Sequence, residues 1–351
     1  MDWRRYTPSP RAVDWGLFVA VTTLLATGIG TIFAGTAAAA WVIDLHALTG
    51  IVLVCLLPVK LWRVRHRVAP ERLTGARALS IALAVDATGA LVTGVWWIFG
   101  GSLDLGPWGL FHLHTALGLL VAPLLVAHLR YRVHSPETAI QHGRRDALRY
   151  AGLVGTGAVV WRLQGPVNDA LETAGADRRF TGSREEGSDA GNRFPVTSWV
   201  ADDPEPVEAA DWTLTVGGRV ASAASYDLAD LPTGASDRAL LDCTSGWYSE
   251  HDWQGVRVGD LLEAADPEAG AAWVQFRSVT GYRWSLPIEE VRDAVLATRV
   301  DGEELSHGHG YPLRLVAPGR RGFQWVKWVE SVRVTERREV GEWLALFVSG
   351  L

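Results

Sequence analysis

The chain of 351 residues has only two cysteines, Cys55 and Cys243, and only two lysines, Lys60 and Lys327. Cys55 lies inside a long apolar run, so the two thiols offer no disulfide framework and the fold must rest on burial. With lysine nearly absent, arginine carries the positive charge, and it is unevenly spread. Residues 1–164 hold 15 Lys+Arg against 8 Asp+Glu, whereas residues 165–351 hold 18 against 31, a balance of +7 and −13 within a net −6. An acidic soluble half excludes nucleic acid as a partner, because phosphate binding needs clustered cations.

What is present first is apolar length. Runs at about 12–35, 40–62, 78–101 and 108–129 are each long enough to cross a hydrocarbon core of ~30 Å. The first is too deep and too long, with no small-residue cleavage site, for a removable signal. Basic residues cluster before the first run (Arg4, Arg5, Arg11), between the second and third (Lys60, Arg63, Arg65, Arg67, Arg72, Arg77) and after the fourth (Arg130, Arg132, Arg144, Arg145). The other two links have none, which predicts a multi-pass cell-membrane protein with a cytoplasmic N-terminus.

The four runs read as two copies of one hairpin. TGIGTIFAG (27–35) aligns with TGVWWIFGG (93–101), and DLHALTGIVLV (44–54) with HLHTALGLLVA (112–122). His46 then matches His114, Gly50 matches Gly118, and His66 matches His134. A histidine within a span is costly and marks function. The glycine four residues on shares its helical face and leaves room for a flat macrocycle. Two imidazoles on facing helices are the ligand set of a bis-histidine haem b, and this half resembles b-type cytochrome membrane subunits. A polar interhelical contact is the competing reading. His128 follows His114 by about 21 Å of helix and only about 40° of rotation, a spacing suited to a second haem. Its repeat partner, however, is Lys60, a poor ligand. His66 and His134 fall in basic flanks and read as solvated.

Residues 141–164 predict a fifth span behind Arg144-Arg145, at about 147–163. The twin arginine resembles a signal for export of folded proteins, and ordinary charge anchoring is the alternative. Residues 165–192, rich in Gly, Asp, Glu, Arg and Ser, read as a tether. Short alternations at 212–220, 273–279 and 313–318 predict a β-rich α+β domain over 193–340, with an apolar tail at 341–351. The expected fold is therefore an all-α transmembrane four-helix bundle over 1–140, a fifth span, and a β-rich soluble domain outside the cell membrane.

Chemistry concentrates in two places of the soluble half. Cys243 sits in ALLDCTSGWYS (239–249), flanked by small turn-forming residues and then Trp247 and Tyr248. For an isolated cysteine a small buried hydrophobe is the ordinary reading. Downstream, LSHGHGYPLRLVAPGRRGFQWVKWVESVRV (305–334) alternates glycine and proline with His309, Arg314, Arg320, Arg321 and Lys327. Glycines that admit backbone N–H groups, together with cationic donors, suit an anionic, phosphate-bearing cofactor. A solvated basic turn at a sheet edge is the alternative.

These runs, with WQGVRVGDLL (253–262) and SVTGYRWSLP (278–287), occur in an order that resembles the sulfite oxidase superfamily of molybdopterin enzymes over roughly 190–335. The resemblance implies that Cys243 is the thiolate ligand of molybdenum and that Arg314 to Lys327, with His309, hold the molybdopterin. Asn192 and Phe194, in GNRFPVTSW, match a segment that packs on the cofactor. Ser245 departs from the acidic residue that some bacterial relatives carry two places after the cysteine, so substrate identity does not carry over. The implied activity is oxygen-atom transfer, as sulfite-type oxidation or S-/N-oxide reduction, with electrons exchanged through haem b and a quinone or another carrier. A non-catalytic receptor, or a cytochrome with a ligand-binding β-rich domain, would instead tolerate substitution at Cys243.

Overall fold

A computed structural model describes residues 7–67, 74–105, 108–132, 144–198, 202 and 204–345. Arg4, Arg5, Arg72, His134 and residues 346–351 of the expected tail lie outside the described residues, as do the side chains of Arg67, Arg132, Arg144 and Arg145. The chain divides into two compact units, Met1–Arg184 and Glu185–Leu351.

Five long helices make the first unit: α1 (Pro10–Thr31), α2 (Ala40–Val64), α3 (Gly75–Ile98), α4 (Leu110–Arg132) and α5 (Arg144–Ala170). The first four are long and apolar enough to cross a membrane. Helix α1 begins two residues before its apolar run because Ser9 caps it, its Oγ accepting from Ala12 N with Pro10 at the first helical position. Helix α3 stops at Ile98, short of the expected 101, because the chain turns at Gly100 with φ 80°. Helices α1 and α2 pack as one antiparallel hairpin, and α3 and α4 as another.

Helix α5 packs on α2 and is longer than the expected 147–163. It carries Arg149, Arg162, Gln164, Asn168 and Asp169, and is too polar to count with the other four. It nevertheless follows the full height of the bundle. Near its start Asp146 accepts from Ser9 Oγ (2.8 Å) and Tyr150 donates to Ala12 O (2.5 Å). Trp161 donates to Asp44 at the start of α2 (3.0 Å), and Asn168 to Ile98 O at the end of α3 (3.1 Å).

The second unit is β-rich. One sheet runs in the order β2 (Ala224–Asp227), β1 (Thr213–Gly218), β10 (Val329–Thr335), β5 (Trp273–Ser278), β6 (Arg283–Pro287), with β1 and β10 parallel and the other pairs antiparallel. The other centres on β4 (Trp247–Arg257), which pairs antiparallel with β3 (Ala235–Asp242) and β7 (Val295–Val300). Strand β7 also pairs with β8 (Glu303–Glu304) and β9 (Arg314–Val316). Trp247, Ser249, His251 and Trp253 alternate inward along β4, the period of two expected of a half-buried strand. Helix α6 (Val258–Ala265) buries Val258, Leu261, Leu262 and Ala265.

Two stretches expected to be loose are folded. Residues 165–170 complete α5, and residues 186–192 dock on the second unit, Glu186 N donating to Tyr248 O and Asp189 N to Glu250 O. The polar composition that reads as a tether is used for hydrogen bonds. In the tail, Glu342 is fully buried and accepts from Ser285 N (2.8 Å), so the domain continues at least to Ala345.

Candidate functional site

Cys243 stands at the tip of the β3–β4 hairpin. The last ladder pair is Asp242 with Tyr248, and Cys243 N closes the turn on Trp247 O (2.9 Å). Gly246 takes φ 92°, a left-handed conformation that a side chain would strain. Cys243 is nearly buried, 7% exposed, and Ser245 N points at its sulfur from 3.5 Å. The segment 319–324 is laid against this tip. A Cβ on Gly322 would come within 3.1 Å of Cys243 Cα. Arg321, itself buried, donates to Asp242 Oδ1 (2.6 Å) and to Cys243 O (3.1 Å). The sulfur is thus held by a hairpin whose backbone is clamped from the side.

Around it gathers an aromatic and cationic cluster. Arg314, 3% exposed at the start of β9, donates to His309 O (3.0 Å). Its guanidinium faces the rings of Trp253, Trp325 and Phe194 at 5.3, 5.9 and 6.0 Å. Burial lowers the Arg314 pKa to about 10, and nearby Cys243 acts in the opposite sense. The His309 ring lies 3.8 Å from that of Phe194. Its Nε2 meets Phe194 O (2.9 Å) and its Nδ1 meets Ser306 Oγ (2.7 Å). A carbonyl can only accept, so Nε2 carries the proton and Nδ1 accepts from the serine. Burial first, then Arg314, push the His309 pKa down to about 3, which keeps the imidazole neutral. Lys327 Nζ donates to Gly308 O (2.6 Å), Thr197 O (2.8 Å) and Ser198 Oγ (3.3 Å), and Trp247 Nε1 donates to Thr197 Oγ1 (3.2 Å). Asn192 ties the leading segment down by donating to Glu304 O (2.8 Å) and accepting from Ser306 N (2.8 Å).

Cys243, Phe194, His309, Arg314, Arg321 and Lys327 therefore come together. Arg320 does not join them through its side chain, which is half-exposed and paired with Glu290. Arg321 acts on the protein, bracing the hairpin. Not foreseen from sequence was His251, fully buried on β4, whose Nδ1 meets Asp301 Oδ2 at 2.6 Å and whose ring lies 4.6 Å from Phe194. Burial pushes the Asp301 carboxyl up, but hydrogen bonds from His251, Asp252 N and Gly191 N outweigh it and hold the pKa below its usual value.

The donor set fits an anionic pterin cofactor. The Nε atoms of Arg314 and Arg321 are buried and meet no hydrogen-bond partner among the described residues. Such donors are costly unless an acceptor reaches them. A soft sulfur beside them is a suitable ligand for molybdenum.

In the first unit His46 and His114 face each other with ring centres 6.2 Å apart and planes at 87°. Their Nδ1 atoms are engaged alike, His46 with Thr27 Oγ1 (3.0 Å) and His114 with Thr93 Oγ1 (3.3 Å) and Ala90 O (2.9 Å). A Cβ on Gly28 would lie 3.4 Å from the His46 ring, and one on Gly94 2.9 Å from that of His114. The repeated Thr-Gly pair of each hairpin thus seats each imidazole, a role the repeat contained but did not reveal. A Cβ on Gly50 or Gly118 would meet nothing within 4 Å among the described residues. His128 Nδ1 meets Ser80 Oγ (3.2 Å). At the matching level of the first hairpin, Lys60 is paired with Asp14 (2.5 Å). His66 is exposed on a short turn after α2.

Residues 201–343 match the family model described as "Oxidoreductase molybdopterin binding domain". The protein-methionine-sulfoxide reductase catalytic subunit MsrP of Xanthomonas axonopodis pv. citri is 31% identical over 152 residues, 38% of this chain and 47% of that protein. The uncharacterized oxidoreductase YuiH of Bacillus subtilis is 29% identical over 155 residues, 43% of this chain and 78% of that protein. The crystal structure of the sulfane dehydrogenase SoxCD from Paracoccus pantotrophus is 27% identical, covering 40% of this chain and 41% of that one, with a TM-score of 0.37. The chain spans about half the length of the MsrP relatives it matches, 47% in the first case. Over residues 201–343 the C-terminal unit thus matches a molybdopterin-binding oxidoreductase domain, and the relatives that align with it are named as oxidoreductases or reductases.

Proposed function

We propose that the chain is a membrane-anchored molybdopterin-dependent oxidoreductase that transfers an oxygen atom to or from a small oxyanion or an S- or N-oxide. Electrons pass through one haem b to or from a quinone or another carrier. Bound molybdenum–molybdopterin supplies the oxygen-atom transfer and the two-electron change that accompanies it. Cys243 is the protein's thiolate ligand, and the Arg321 clamp fixes where its sulfur stands. Arg314 and Lys327 offer positive charge to the pterin and its phosphate, with neutral His309 and the Phe194 ring as walls. The observation that carries this reading is the convergence of Cys243, Arg314 and His309 within a domain that matches molybdopterin oxidoreductases. Metal and pterin analysis of protein purified from cofactor-competent cells tests it, and a sample free of both sinks it. Oxidation of sulfite, and reduction of methionine sulfoxide or dimethyl sulfoxide, then decide the direction.

The haem assignment rests on the imidazole pair. Two ring nitrogens each about 2.0 Å from a shared metal place their ring centres roughly 6 Å apart. The 6.2 Å between His46 and His114 agrees with that, and the paired threonines leave both Nε2 atoms for the iron. For a second haem at His128, the matching position of the first hairpin is Lys60, which is held by Asp14, so one haem is proposed.

The proposed topology has a cytoplasmic N-terminus, five crossings and the molybdopterin domain outside. Hydrogen bonds from both ends of α5 to both ends of the bundle support the fifth crossing. Single cysteines at exposed Ser222 or Ser236, in a Cys55→Ser background, report the side. Labelling by a membrane-impermeant maleimide in intact spheroplasts supports export, and labelling only after lysis overturns it.

A further inference from the structure

Strand β4 turns a row of buried side chains inward at every second residue: Trp247, Ser249, His251 and Trp253. The row runs between the two cations offered to the cofactor. At one end Trp247 Nε1 donates to Thr197 Oγ1 (3.2 Å), and Lys327 Nζ donates to the carbonyl of the same Thr197 (2.8 Å). At the other end the Trp253 ring lies 5.3 Å from the Arg314 guanidinium. Between these ends stand Ser249 and His251, both fully buried.

One carboxylate sets the His251 ring. Asp301 Oδ2 accepts from His251 Nδ1 (2.6 Å) and from Gly191 N (2.9 Å), while its Oδ1 accepts from Asp252 N (2.8 Å). A carboxylate can only accept, so Nδ1 carries a proton and the ring cannot turn without losing that bond. Nε2 is left over. It is buried and meets no hydrogen-bond partner among the described residues, and the same holds for Ser249 Oγ. Such atoms are costly unless a ligand reaches them. The rings around His251 say which ligand that is. His251 lies 4.6 Å from Phe194 and 5.5 Å from Trp253, and the Arg314 guanidinium faces the same two rings at 6.0 and 5.3 Å. Arg314 Nε is unmet as well. Two orphan nitrogens, one a fixed donor and the other aimed by Asp301, thus share one aromatic-walled cluster.

We propose that His251 is a contact of the molybdopterin, its Nε2 meeting the polar edge of the pterin, with Asp301 as the positioning residue that orients the ring. The inference rests on the molybdopterin reading of the site. A pterin edge carries both N–H donors and N or O acceptors, so it can satisfy the imidazole nitrogen with or without a proton. If His251 were only a structural partner of Asp301, Nε2 would be dispensable.

The test separates the two nitrogens of the ring. His251→Asn keeps an amide N–H near the place of Nδ1, a donor for Asp301, and has nothing in the place of Nε2. Full-length protein is prepared in detergent from cofactor-competent cells and from cells unable to make molybdopterin. Without cofactor, the C-terminal unit of the variant should melt within about 2 °C of wild type in thermal challenge followed by limited proteolysis. When loaded, it should release molybdenum and pterin about tenfold faster on extended dialysis, the scale of one hydrogen bond. The rise in melting temperature that the cofactor confers should shrink accordingly. Release at the wild-type rate, or equal destabilisation of the loaded and cofactor-free forms, overturns the contact. Should the asparagine variant not fold, His251→Gln is compared with His251→Leu. Only glutamine keeps a polar group at the reach of Nε2, so it should hold the cofactor longer, and equal release from both overturns the proposal. Wild type from competent cells that carries neither molybdenum nor pterin would instead remove the reading on which the inference rests.

Discussion

Arg321→Ala is the sharpest test of how the cysteine is held. In the native unit the Arg321 guanidinium is buried, 2.6 Å from Asp242 Oδ1 and 3.1 Å from Cys243 O. Truncation leaves a buried carboxylate without its counter-charge, which costs about 3–5 kcal/mol. Losing the donor to the Cys243 carbonyl acts in the same direction, on the order of 1–3 kcal/mol, though the two losses share one side chain and do not add. For a unit of this size each 1 kcal/mol moves Tm by about 2–4 °C, so the C-terminal unit should melt between about 6 and 20 °C lower. Thermal challenge of the purified protein followed by limited proteolysis measures this unit separately, and molybdenum retained per chain gives the functional readout. Removing both charges, Asp242→Asn with Arg321→Met, should recover more than half of the lost stability. An Arg321→Ala protein that melts within about 2 °C of wild type with full molybdenum content would refute the clamp.

Cys243→Ser should abolish turnover while the haem spectrum and the melting of both units stay as in wild type, and residual turnover above about 1% would remove Cys243 from the metal. His46→Ala and His114→Ala should each erase the low-spin bis-histidine absorption, whereas His128→Ala and His66→Ala should leave it. A spectrum that survives at His46→Ala would mean a different ligand pair. The C-terminal unit should lose stability as pH falls from about 6.5 toward about 3, because the unfolded chain takes up a proton on His309 that the folded site refuses. His309→Gln, which keeps a donor for Phe194 O, should flatten that slope in acid denaturation, and an unchanged slope would contradict the neutral assignment.

Much of the site is legible in the chain because its residues lie in a few runs with unusual composition. Cys243 between Asp242 and a Thr-Ser-Gly turn, and the glycine- and arginine-rich run through Lys327, declare themselves without tertiary knowledge. The rest depends on register. Arg320 and Arg321 are neighbours with different tasks, since only Arg321 forms the parallel bridge to Asp242 that turns its side chain under the hairpin. His251 and Asp301 are 50 residues apart, and the pairing of β4 with β7 that brings them together has no local signature. Thr27 and Thr93 stand inside the recognised repeat, but which hydroxyl meets which imidazole follows from how the hairpins pack. The stretch 165–192 misleads for another reason. Its polar groups look solvated in sequence, yet several of them find backbone partners on α3 and β4.

The ion pair of Lys60 with Asp14 sets the energetic part this chain can play. It stands at the level of His128 in the second hairpin, and the enzyme we propose, with one haem, has its station near one end of the helices. On the proposed topology that station lies toward the outer face. Electrons that arrive and depart there never traverse the hydrocarbon, so turnover displaces no charge across the bilayer. Such a protein consumes or supplies reducing equivalents on one side of the membrane and contributes nothing directly to the transmembrane potential, however fast it works.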